Sequence, residues 1–340
     1  MSKIIGEYLD QLCSIEMRPG LGNMPRGFIK KLYKAARKPN ENPLIYQITK
    51  ELLENIKEGD TVFILTGAGG APDFPEAEVD GILGAISIAR ALRRAKEVNP
   101  VILTEEHVKR PLKATSRAAG LNFIESTDDH MENSLTFIPM PISHDKSKKQ
   151  AKKLIENYNP SAIIAIEKLS PNSEGVIHGS TGVNFDHLHT KPQYLFEEAR
   201  ERKILTIGIG DGGNEIGFGN ISESVKSIMP NGSSCQCSCG GGSAANLSTD
   251  LLLVSAISNW GAYGIVGMLA YELGRPDIMI TPNDLANMLK SCVDNGALDG
   301  LNGSPIYADD GVPLDAQLAL ATMINNIVEI GLTNINAPGH

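Results

Sequence analysis

Short, nearly unbroken apolar runs that alternate with amphipathic segments are the feature that most constrains how this chain folds. Each run has the length of a strand and is bounded by glycine, proline or polar residues. They are Thr61–Thr66, Val101–Thr104, Asn122–Glu125, Ser161–Ile166 and Ile204–Ile209. Runs of this kind are typical of strands that are covered on both faces, as in a parallel sheet.

The segments between these runs have apolar residues three or four positions apart, which is the spacing of one helix face. Ile82, Ala85, Ala89 and Leu92 form one such stripe. Further helices are predicted over Pro43–Ile56, Glu105–Ala119, Lys146–Asn157, Lys191–Arg202, Pro282–Asp294 and Pro313–Val328. Leu251–Leu273 is also predicted to be helical, with a break around Gly261–Gly264.

The repeated order of strand and helix predicts an α/β protein, a three-layer αβα sandwich with a mainly parallel, doubly wound sheet. We predict an N-terminal helical segment over residues 1–58 that packs on the core, and an α/β domain over residues 59–340. Two stretches rich in glycine, serine and asparagine are predicted to be loops, Pro171–Gly182 and Asn231–Ser248.

Charge and composition limit which partners and which cellular location we expect. The chain has 40 acidic and 31 basic residues and a formal net charge of −9, so we expect no nucleic-acid partner. No apolar run approaches the ~20 residues that span a bilayer, and the N-terminus lacks the basic character of a targeting peptide, so we expect no membrane association. Five cysteines, three of them in a CQCSC run, do not suggest a secreted disulfide framework. We therefore expect a cytoplasmic protein, with a homo-oligomer left open.

Ligands of open α/β sheets bind where loops leave the carboxyl ends of strands. The loop after Thr61–Thr66 is rich in glycine and leads to three acids; its candidate residues are Thr66, Gly67, Gly69, Gly70, Glu76, Glu78 and Asp80. Glycines let the backbone approach a ligand, and amides near a helix start can hold a carboxylate or phosphate. The alternative is that the acids only offset the dipole of the following helix.

A second glycine-rich loop follows Ile204–Ile209. Gly208–Gly213 matches the GxGxxG pattern of dinucleotide sites, but the acid expected about 20 residues later is missing, so the match is weak. The candidate residues here are Asp211, Gly212, Gly213, Asn214 and Glu215. A third strand exit carries Glu167 and Lys168. Asp211 as a simple helix cap and Glu167 as a surface marker are the alternatives.

The CQCSC run, Cys235–Cys239, has three interpretations: a zinc site, a nucleophilic cysteine, or an ordinary loop. Structural zinc sites usually space their cysteines as CxxC and add a second pair, and no such partner lies nearby. The histidines His178, His187 and His189 lie in or after the preceding loop, and the last two do not share a helix face. The pattern therefore favours an ordinary loop.

Two motifs together resemble a known family. GDGGNEIGFG at Gly210–Gly219 is followed some forty residues later by SNWGAYG at Ser258–Gly264, and this pair is similar to the D-glutamate cyclase family (glutamate cyclase-like C-terminal domain). The AEVDG segment at Ala77–Gly81 also fits the family's order. The resemblance covers roughly Gly59 to Ile330.

The resemblance implies a lyase of D-amino acid metabolism, a hydro-lyase that cyclises D-glutamate to 5-oxo-D-proline. It implies that Glu78, Asp80, Asp211 and Glu215 are catalytic, since the reaction needs a general acid and a general base. The implied substrate-binding residues are Thr66, Gly67, Gly69, Gly70, Glu167, Lys168, Gly212, Gly213, Asn214, Ser258, Asn259 and Trp260. The glycine-rich amides are expected to stabilise the oxyanion, and Lys168 or helix N-termini to attract the anionic substrate.

The sequence requires no cofactor, but it leaves open a divalent cation, Mg²⁺ or Mn²⁺, held by Asp80, Asp211 and Glu215. Three rival functions also stay open. They are an amino-acid racemase or epimerase that uses Cys235 or Cys239, a nucleotide-binding oxidoreductase that uses Gly208–Gly213, and a non-catalytic sensor of acidic amino acids.

Overall fold

Seven parallel strands form the central sheet of this computed structural model, which describes residues 1–18, 24–125 and 131–336. The strand order is β4-β5-β3-β1-β6-β7-β8, and two further pairs, β2 with β9 and β10 with β11, lie outside the sheet. The strands are β1 (Thr61–Thr66), β2 (Ala77–Glu78), β3 (Asn99–Thr104), β4 (Asn122–Ile124), β5 (Ser134–Pro139), β6 (Ala162–Ile166), β7 (Leu205–Gly210), β8 (Leu251–Val254), β9 (Ala297–Leu298), β10 (Ala308–Asp309) and β11 (Val312–Pro313).

Helices cover both faces of this sheet, which confirms the predicted three-layer α/β sandwich. They are α1 (Ser2–Cys13), α2 (Phe28–Ala36), α3 (Leu44–Asn55), α4 (Ile82–Lys96), α5 (Lys109–Ala118), α6 (His144–Tyr158), α7 (Gln193–Glu201), α8 (Ser222–Ile228), α9 (Ser258–Leu273), α10 (Pro282–Asp294) and α11 (Leu314–Asn336). Side chains of β1 alternate between two cores: Val62 and Ile64 face the layer that contains α9, and Phe63 and Leu65 face α6 and α7. Among the described residues, no helix is both long and apolar enough to cross a membrane.

Helix α9 lies beneath the centre of the sheet and is unbroken, so the predicted break around Gly261–Gly264 is wrong. A Cβ atom at Gly264 would lie 2.6 Å from Cδ1 of Ile45 and 2.9 Å from Sγ of Cys13. A Cβ at Gly267 would lie 2.8 Å from Cγ2 of Ile324. The glycines therefore serve close helix packing, which outweighs their low helix propensity.

The order of the strands reverses at the centre of the sheet, between β1 and β6. From β1 the chain continues to β3 on one side, and from β6 it continues to β7 on the other. In open α/β sheets this switch point opens a crevice at the carboxyl ends of the strands. The loops that follow β1, β6 and β7 therefore meet at one place.

The N-terminal helices pack on the same layer as α9. Helix α1 contacts α3, α9 and α11. Its buried Asp10 accepts hydrogen bonds from the backbone amides of Leu44 (2.7 Å) and Ile45 (2.9 Å), which lie at the start of α3, and from the hydroxyl of Tyr33. This carboxylate ties α1 to α3. The predicted division at residue 58 stays a prediction.

Asp10 should make the stability of the protein depend on pH. Burial raises the pKa of Asp10 to about 6, against the hydrogen bonds from Tyr33, Ile45 and Leu44, which lower it. Since the unfolded value is about 3.9, the folded state binds the proton more tightly. The stabilisation is therefore fully present below about pH 4 and is lost as the pH rises through about 6, a change of about 3 kcal/mol.

Urea unfolding of the wild type and of Asp10→Asn between about pH 4 and pH 7 measures this effect. Because asparagine does not ionise, the free energy of unfolding of the wild type, relative to the variant, should fall across that range. The variant's lost hydrogen bonds add only a constant offset. A difference that does not change with pH would contradict the assignment to Asp10.

Candidate active site

A cavity of about 450 Å³ lies at the switch point of the sheet, at the carboxyl ends of β1, β6 and β7. The loop after β1 contributes Ala68 and Gly69, the end of β6 contributes Glu167, and the loop after β7 contributes Asp211. The turns after the first and fifth predicted strands thus converge on one cavity. Its other lining residues include Arg18, Met24, Glu78, Gly179, Ser180, Thr181, Phe185, Asn214, Glu215, Gly300 and Asp310.

A larger groove of about 530 Å³ lies at the amino ends of β7 and β8. Leu205, Thr206 and Asp250 line it, together with Glu51 from α3. Ligands of this fold class bind at the carboxyl ends of the strands, and the buried acids Glu167, Asp211 and Glu215 lie there too. The smaller cavity is therefore the candidate active site.

The loop after β7 is built around the carboxylate of Glu215. This carboxylate accepts hydrogen bonds from the backbone amides of Asp211 (3.0 Å), Gly212 (2.6 Å) and Gly213 (2.7 Å). The three amides face Glu215 rather than the cavity, so they are not positioned to bind an oxyanion or a nucleotide phosphate. Within β7, a Cβ at Gly208 would lie 2.2 Å from the carbonyl oxygen of Ile216, which explains this glycine by close backbone packing.

On the other side of the switch point, Asp80 has the same role as Glu215, because its carboxylate also accepts backbone amides. Its carboxylate accepts hydrogen bonds from the backbone amides of Ser258 (2.9 Å) and Asn259 (2.7 Å), at the start of α9. The side chain of Asn259 in turn accepts from the amide of Gly84 (2.6 Å) and donates to Asp309 (2.9 Å). This network joins the loop after β1, helix α9 and the β10–β11 hairpin.

Acidic side chains crowd the cavity. Burial raises the pKa of Glu78, and the neighbouring charges of Asp310, Asp80 and Glu215 raise it further. Burial likewise raises the pKa of Glu167. The hydroxyl of Ser258 donates a hydrogen bond of 2.5 Å to Glu167.

Arg18 supplies the guanidinium of the cavity. Its Nη1 lies 3.2 Å from a carboxylate oxygen of Asp211 and also pairs with Asp310. Burial raises the pKa of Asp211, and the charge of Arg18 opposes this rise. The Nε and Nη2 atoms of Arg18 are buried and have no hydrogen-bond partner among the residues that the structure describes. They form a planar donor pair that suits a carboxylate.

Some of the predicted binding residues lie away from the cavity. Lys168 is buried, forms an ion pair with Glu105 and donates to the carbonyl oxygen of Gly67 at 3.1 Å, so its charge does not line the cavity. Trp260 belongs to the core and donates to Gln317 at 2.6 Å.

Four further predicted residues lie behind the lining of the cavity. Thr66 is buried at the end of β1, Gly70 packs against Leu188, and Gly212 and Gly213 serve Glu215. Ser258 and Asn259 support the lining residues from the start of α9. Gly69, Glu78, Glu167, Asp211, Asn214 and Glu215 are the predicted residues that line the cavity itself.

Sequence reasoning missed Arg18, Asp309 and Asp310. Asp309 and Asp310 directly precede Gly311, and acids next to glycine also occur in the loops after β1 and β7. This similarity could have indicated the two residues as candidates. They were missed because they follow no strand of the central sheet; the β2–β9 pair and the β10–β11 hairpin bring them to the cavity. Arg18 carries no comparable signal, since it lies far from the motifs in sequence.

Two groups of acids have the proximity that a metal ion needs. Asp80, Asp211 and Asp310 each place a carboxylate oxygen within 4.8 Å of the others, and so do Glu167, Asp211 and Glu215. The predicted metal ligands Asp80, Asp211 and Glu215 are divided between these groups, which share Asp211. The oxygens of Asp80 and Glu215 already accept backbone amides, and Asp310, which pairs with Arg18, adds a carboxylate outside the predicted set.

A family model and a curated relative match this chain. The family model for D-glutamate cyclase-like proteins, C-terminal, matches residues 34–327. The human protein "D-glutamate cyclase, mitochondrial" is 26% identical over 200 residues, which is 56% of this chain and 29% of the human protein's length. The chain thus covers less than a third of that relative. The match of the family model across both glycine-rich loops shows that the chain belongs to the D-glutamate cyclase-like C-terminal family.

Proposed function

We propose that this chain is a hydro-lyase that cyclises D-glutamate to 5-oxo-D-proline with loss of water. Membership of the family and the name of the human relative support this reaction class. The observation that carries the proposal is the cavity at the switch point, which Glu78 and Asp211 line together with Arg18, whose Nε and Nη2 have no hydrogen-bond partner among the described residues. It combines groups that move protons with a group that binds a carboxylate.

The reaction requires a proton donor and a proton acceptor in one small cavity. At neutral pH the substrate has two carboxylates and one ammonium. The nitrogen loses two protons and forms a bond to the carbon of the γ-carboxylate, and one oxygen of that carboxylate takes up both protons and leaves as water. A base must free the nitrogen, and an acid must protonate the departing oxygen.

In each predicted pair of acids, one carboxylate, that of Asp80 or of Glu215, accepts backbone amides, although Glu215 also lines the cavity. Glu78 and Asp211 line the cavity and are our choice for acid and base. Asp80 and Glu215 hold the backbone amides of α9 and of the loop after β7, and we assign them to positioning. Environments that differ in this way let neighbouring carboxylates take different roles.

Arg18 is our choice for binding the α-carboxylate. Its Nη1 is engaged by Asp211 and Asp310, which fixes the plane of the guanidinium. The remaining Nε and Nη2 donors point at no described partner. A carboxylate that accepts from both would offset the charge of the acidic cavity and hold the substrate beside Asp211.

A divalent cation is part of the proposal. Asp80, Asp211 and Asp310 would hold it, and it would supply Lewis-acid polarisation of the γ-carboxylate. The excess of acids over bases around the cavity supports it, because an anionic substrate would otherwise meet net repulsion. We keep Mg²⁺ and Mn²⁺ as the candidates, since carboxylate oxygens suit both.

The rival functions have less support. Cys235 and Cys239 are not among the described residues that line the cavity, which disfavours a cysteine racemase acting there. The amides of the GxGxxG-like loop are engaged by Glu215, which disfavours a nucleotide. A sensor would bind glutamate without turnover. The cytoplasmic location, a small acidic amino acid as the substrate, and the lack of nucleic-acid and membrane partners remain our proposals.

Neutral substitutions of the two cavity acids should abolish turnover. For Asp211→Asn and Glu78→Gln we expect kcat for 5-oxo-D-proline formation to fall by about 10²-fold or more, the size of a general acid or base effect. Chiral chromatography of the product gives the rate, and circular dichroism checks the fold. Glu51→Gln, in the groove at the opposite edge of the sheet, is the control and should keep the wild-type rate. Wild-type kcat in both cavity variants would overturn the assignment of acid and base.

Replacing the guanidinium of Arg18 by an amine should weaken substrate binding. Lysine keeps the charge but loses the planar pair of donors, so Arg18→Lys should raise KM by about 10-fold or more with a smaller change in kcat. Arg26→Lys, at an exposed position nearby, is the matched control and should leave KM unchanged. An unchanged KM in Arg18→Lys would show that the substrate carboxylate binds elsewhere.

Removing divalent cations should suppress turnover. Treatment with EDTA should lower the rate by about 10-fold or more, and Mn²⁺ or Mg²⁺ should restore it. In Asp310→Asn, a higher concentration of Mn²⁺ should be needed for half-maximal activation. Full activity after EDTA treatment would mean that the acids act without a metal ion.

A further inference from the structure

One histidine and three cysteines form a cluster that the proposed reaction does not use. His178, Cys235, Cys237 and Cys239 each place a ligand atom within 4.8 Å of the others. Nε2 of His178 lies 3.2 Å from Sγ of Cys237 and 3.7 Å from Sγ of Cys239. Sγ of Cys235 lies 3.6 Å from that of Cys237 and 3.4 Å from that of Cys239. All three cysteines are free thiols.

These distances match the edges of a small tetrahedron. Tetrahedral zinc, with Zn–S bonds of about 2.3 Å and Zn–N bonds of about 2.0 Å, places two sulfurs about 3.8 Å apart and sulfur and nitrogen about 3.5 Å apart. The four measured separations differ from these values by a few tenths of an ångström. Three thiolates and one imidazole are a donor set that structural zinc sites use.

Neighbouring groups orient the donors toward the centre of the cluster. Nδ1 of His178 lies 3.1 Å from the carbonyl oxygen of Val176. A carbonyl only accepts, so Nδ1 carries the hydrogen and the lone pair of Nε2 faces the sulfurs. The side-chain amide of Asn172 donates to Sγ of Cys239 at 3.5 Å and to the carbonyl oxygen of Gly242 at 2.8 Å. Outer contacts of this kind are typical of metal sites.

We propose that His178, Cys235, Cys237 and Cys239 bind a structural zinc ion. All four coordination positions are filled by side chains, so no position is left for a substrate or a reactive water. Binding releases the protons of the three thiols. The sequence does not indicate this site, because His178 lies far from the CQCSC run and the cysteines lack CxxC spacing.

The zinc ion would join two loops at one wall of the cavity. Gly179, Ser180 and Thr181 directly follow His178 and line the cavity. The carbonyl oxygen of His178 accepts a hydrogen bond of 2.9 Å from Asn214, another lining residue. Since glycine-rich loops have little apolar contact to order them, a metal cross-link would fix this wall.

Metal analysis of the purified chain tests the site directly. Inductively coupled plasma mass spectrometry of protein prepared without chelators or a metal-binding tag should give about one zinc per chain. His178→Ala and Cys239→Ser should each lose most of that zinc. His187→Ala, at an exposed position in the same connection between β6 and α7, and Cys292→Ala, a buried cysteine elsewhere, are the matched controls and should retain it.

Cobalt substitution gives a second measurement that does not depend on activity. Co²⁺ added to the metal-free protein should produce the visible absorption of a tetrahedral thiolate site, and equimolar Zn²⁺ should bleach it. Zinc should also raise Tm and slow proteolysis within residues 231–243. If a variant fails to fold, the wild-type cobalt spectrum still decides the question.

Three results would overturn the proposal. They are a zinc-free wild type that gives no cobalt spectrum, a zinc content that His178→Ala leaves unchanged, and a mass that shows a disulfide among the three cysteines in freshly purified protein. None of these results bears on the proposed cyclase reaction, because zinc content is measured without substrate. Conversely, a chain with no cyclase activity can still contain the zinc ion.

Discussion

Two buried carboxylates that accept backbone amides hold the candidate site together. Glu215 gathers the amides that follow β7, and Asp80 gathers those at the start of α9. Backbone amides and a helix N-terminus supply hydrogen-bond donors to a buried carboxylate without an ion pair. These contacts fix the two loops on either side of the switch point, and the shape of the cavity follows from them.

Because Asp80 and Glu215 accept the backbone amides of these loops, other carboxylates remain available to the cavity. Glu78 and Asp211 stay directed at the cavity, and the cation beside them comes from Arg18, outside the central sheet. The buried ion pair that Lys168 forms with Glu105 serves a different part of the structure, behind the loop after β1. Charge at the site is therefore set by tertiary contacts between distant segments rather than by neighbours in sequence.

Much of the sheet was predictable because its buried strands are short apolar runs with clear ends. The prediction for Thr61–Thr66 matches β1 residue for residue, and the other four runs agree with observed strands within two residues. Strand β5 was missed because its buried side chains alternate with partly exposed ones. Strand β8 was missed because only a short loop separates it from α9, so the two apolar segments read as one helix.

The glycine-rich loops were predictable as candidates, but the roles of their residues were not. Periodicity cannot show that Glu215 turns back onto its own loop, or that Asp80 points at an amide some 180 residues away. Nor does local sequence place Arg18 beside Asp211, because that contact depends on how the N-terminal helices pack on α9. The zinc cluster shows the same limit, since a histidine and a cysteine run from separate loops meet only in the folded chain.

The site concentrates features that are unfavourable for folding. Several carboxylates are buried close together, and Glu167 adopts the left-handed conformation, with φ of 49°. Elsewhere the packing is regular, with α9 enclosed by apolar side chains and close helix contacts. Local strain and crowded charge of this kind persist only where the surrounding structure is stable enough to impose them. A chain selected for stability alone would replace these acids with apolar or neutral residues. Their presence at the switch point therefore supports the proposed catalytic role of the cavity more than a role in holding its loops alone.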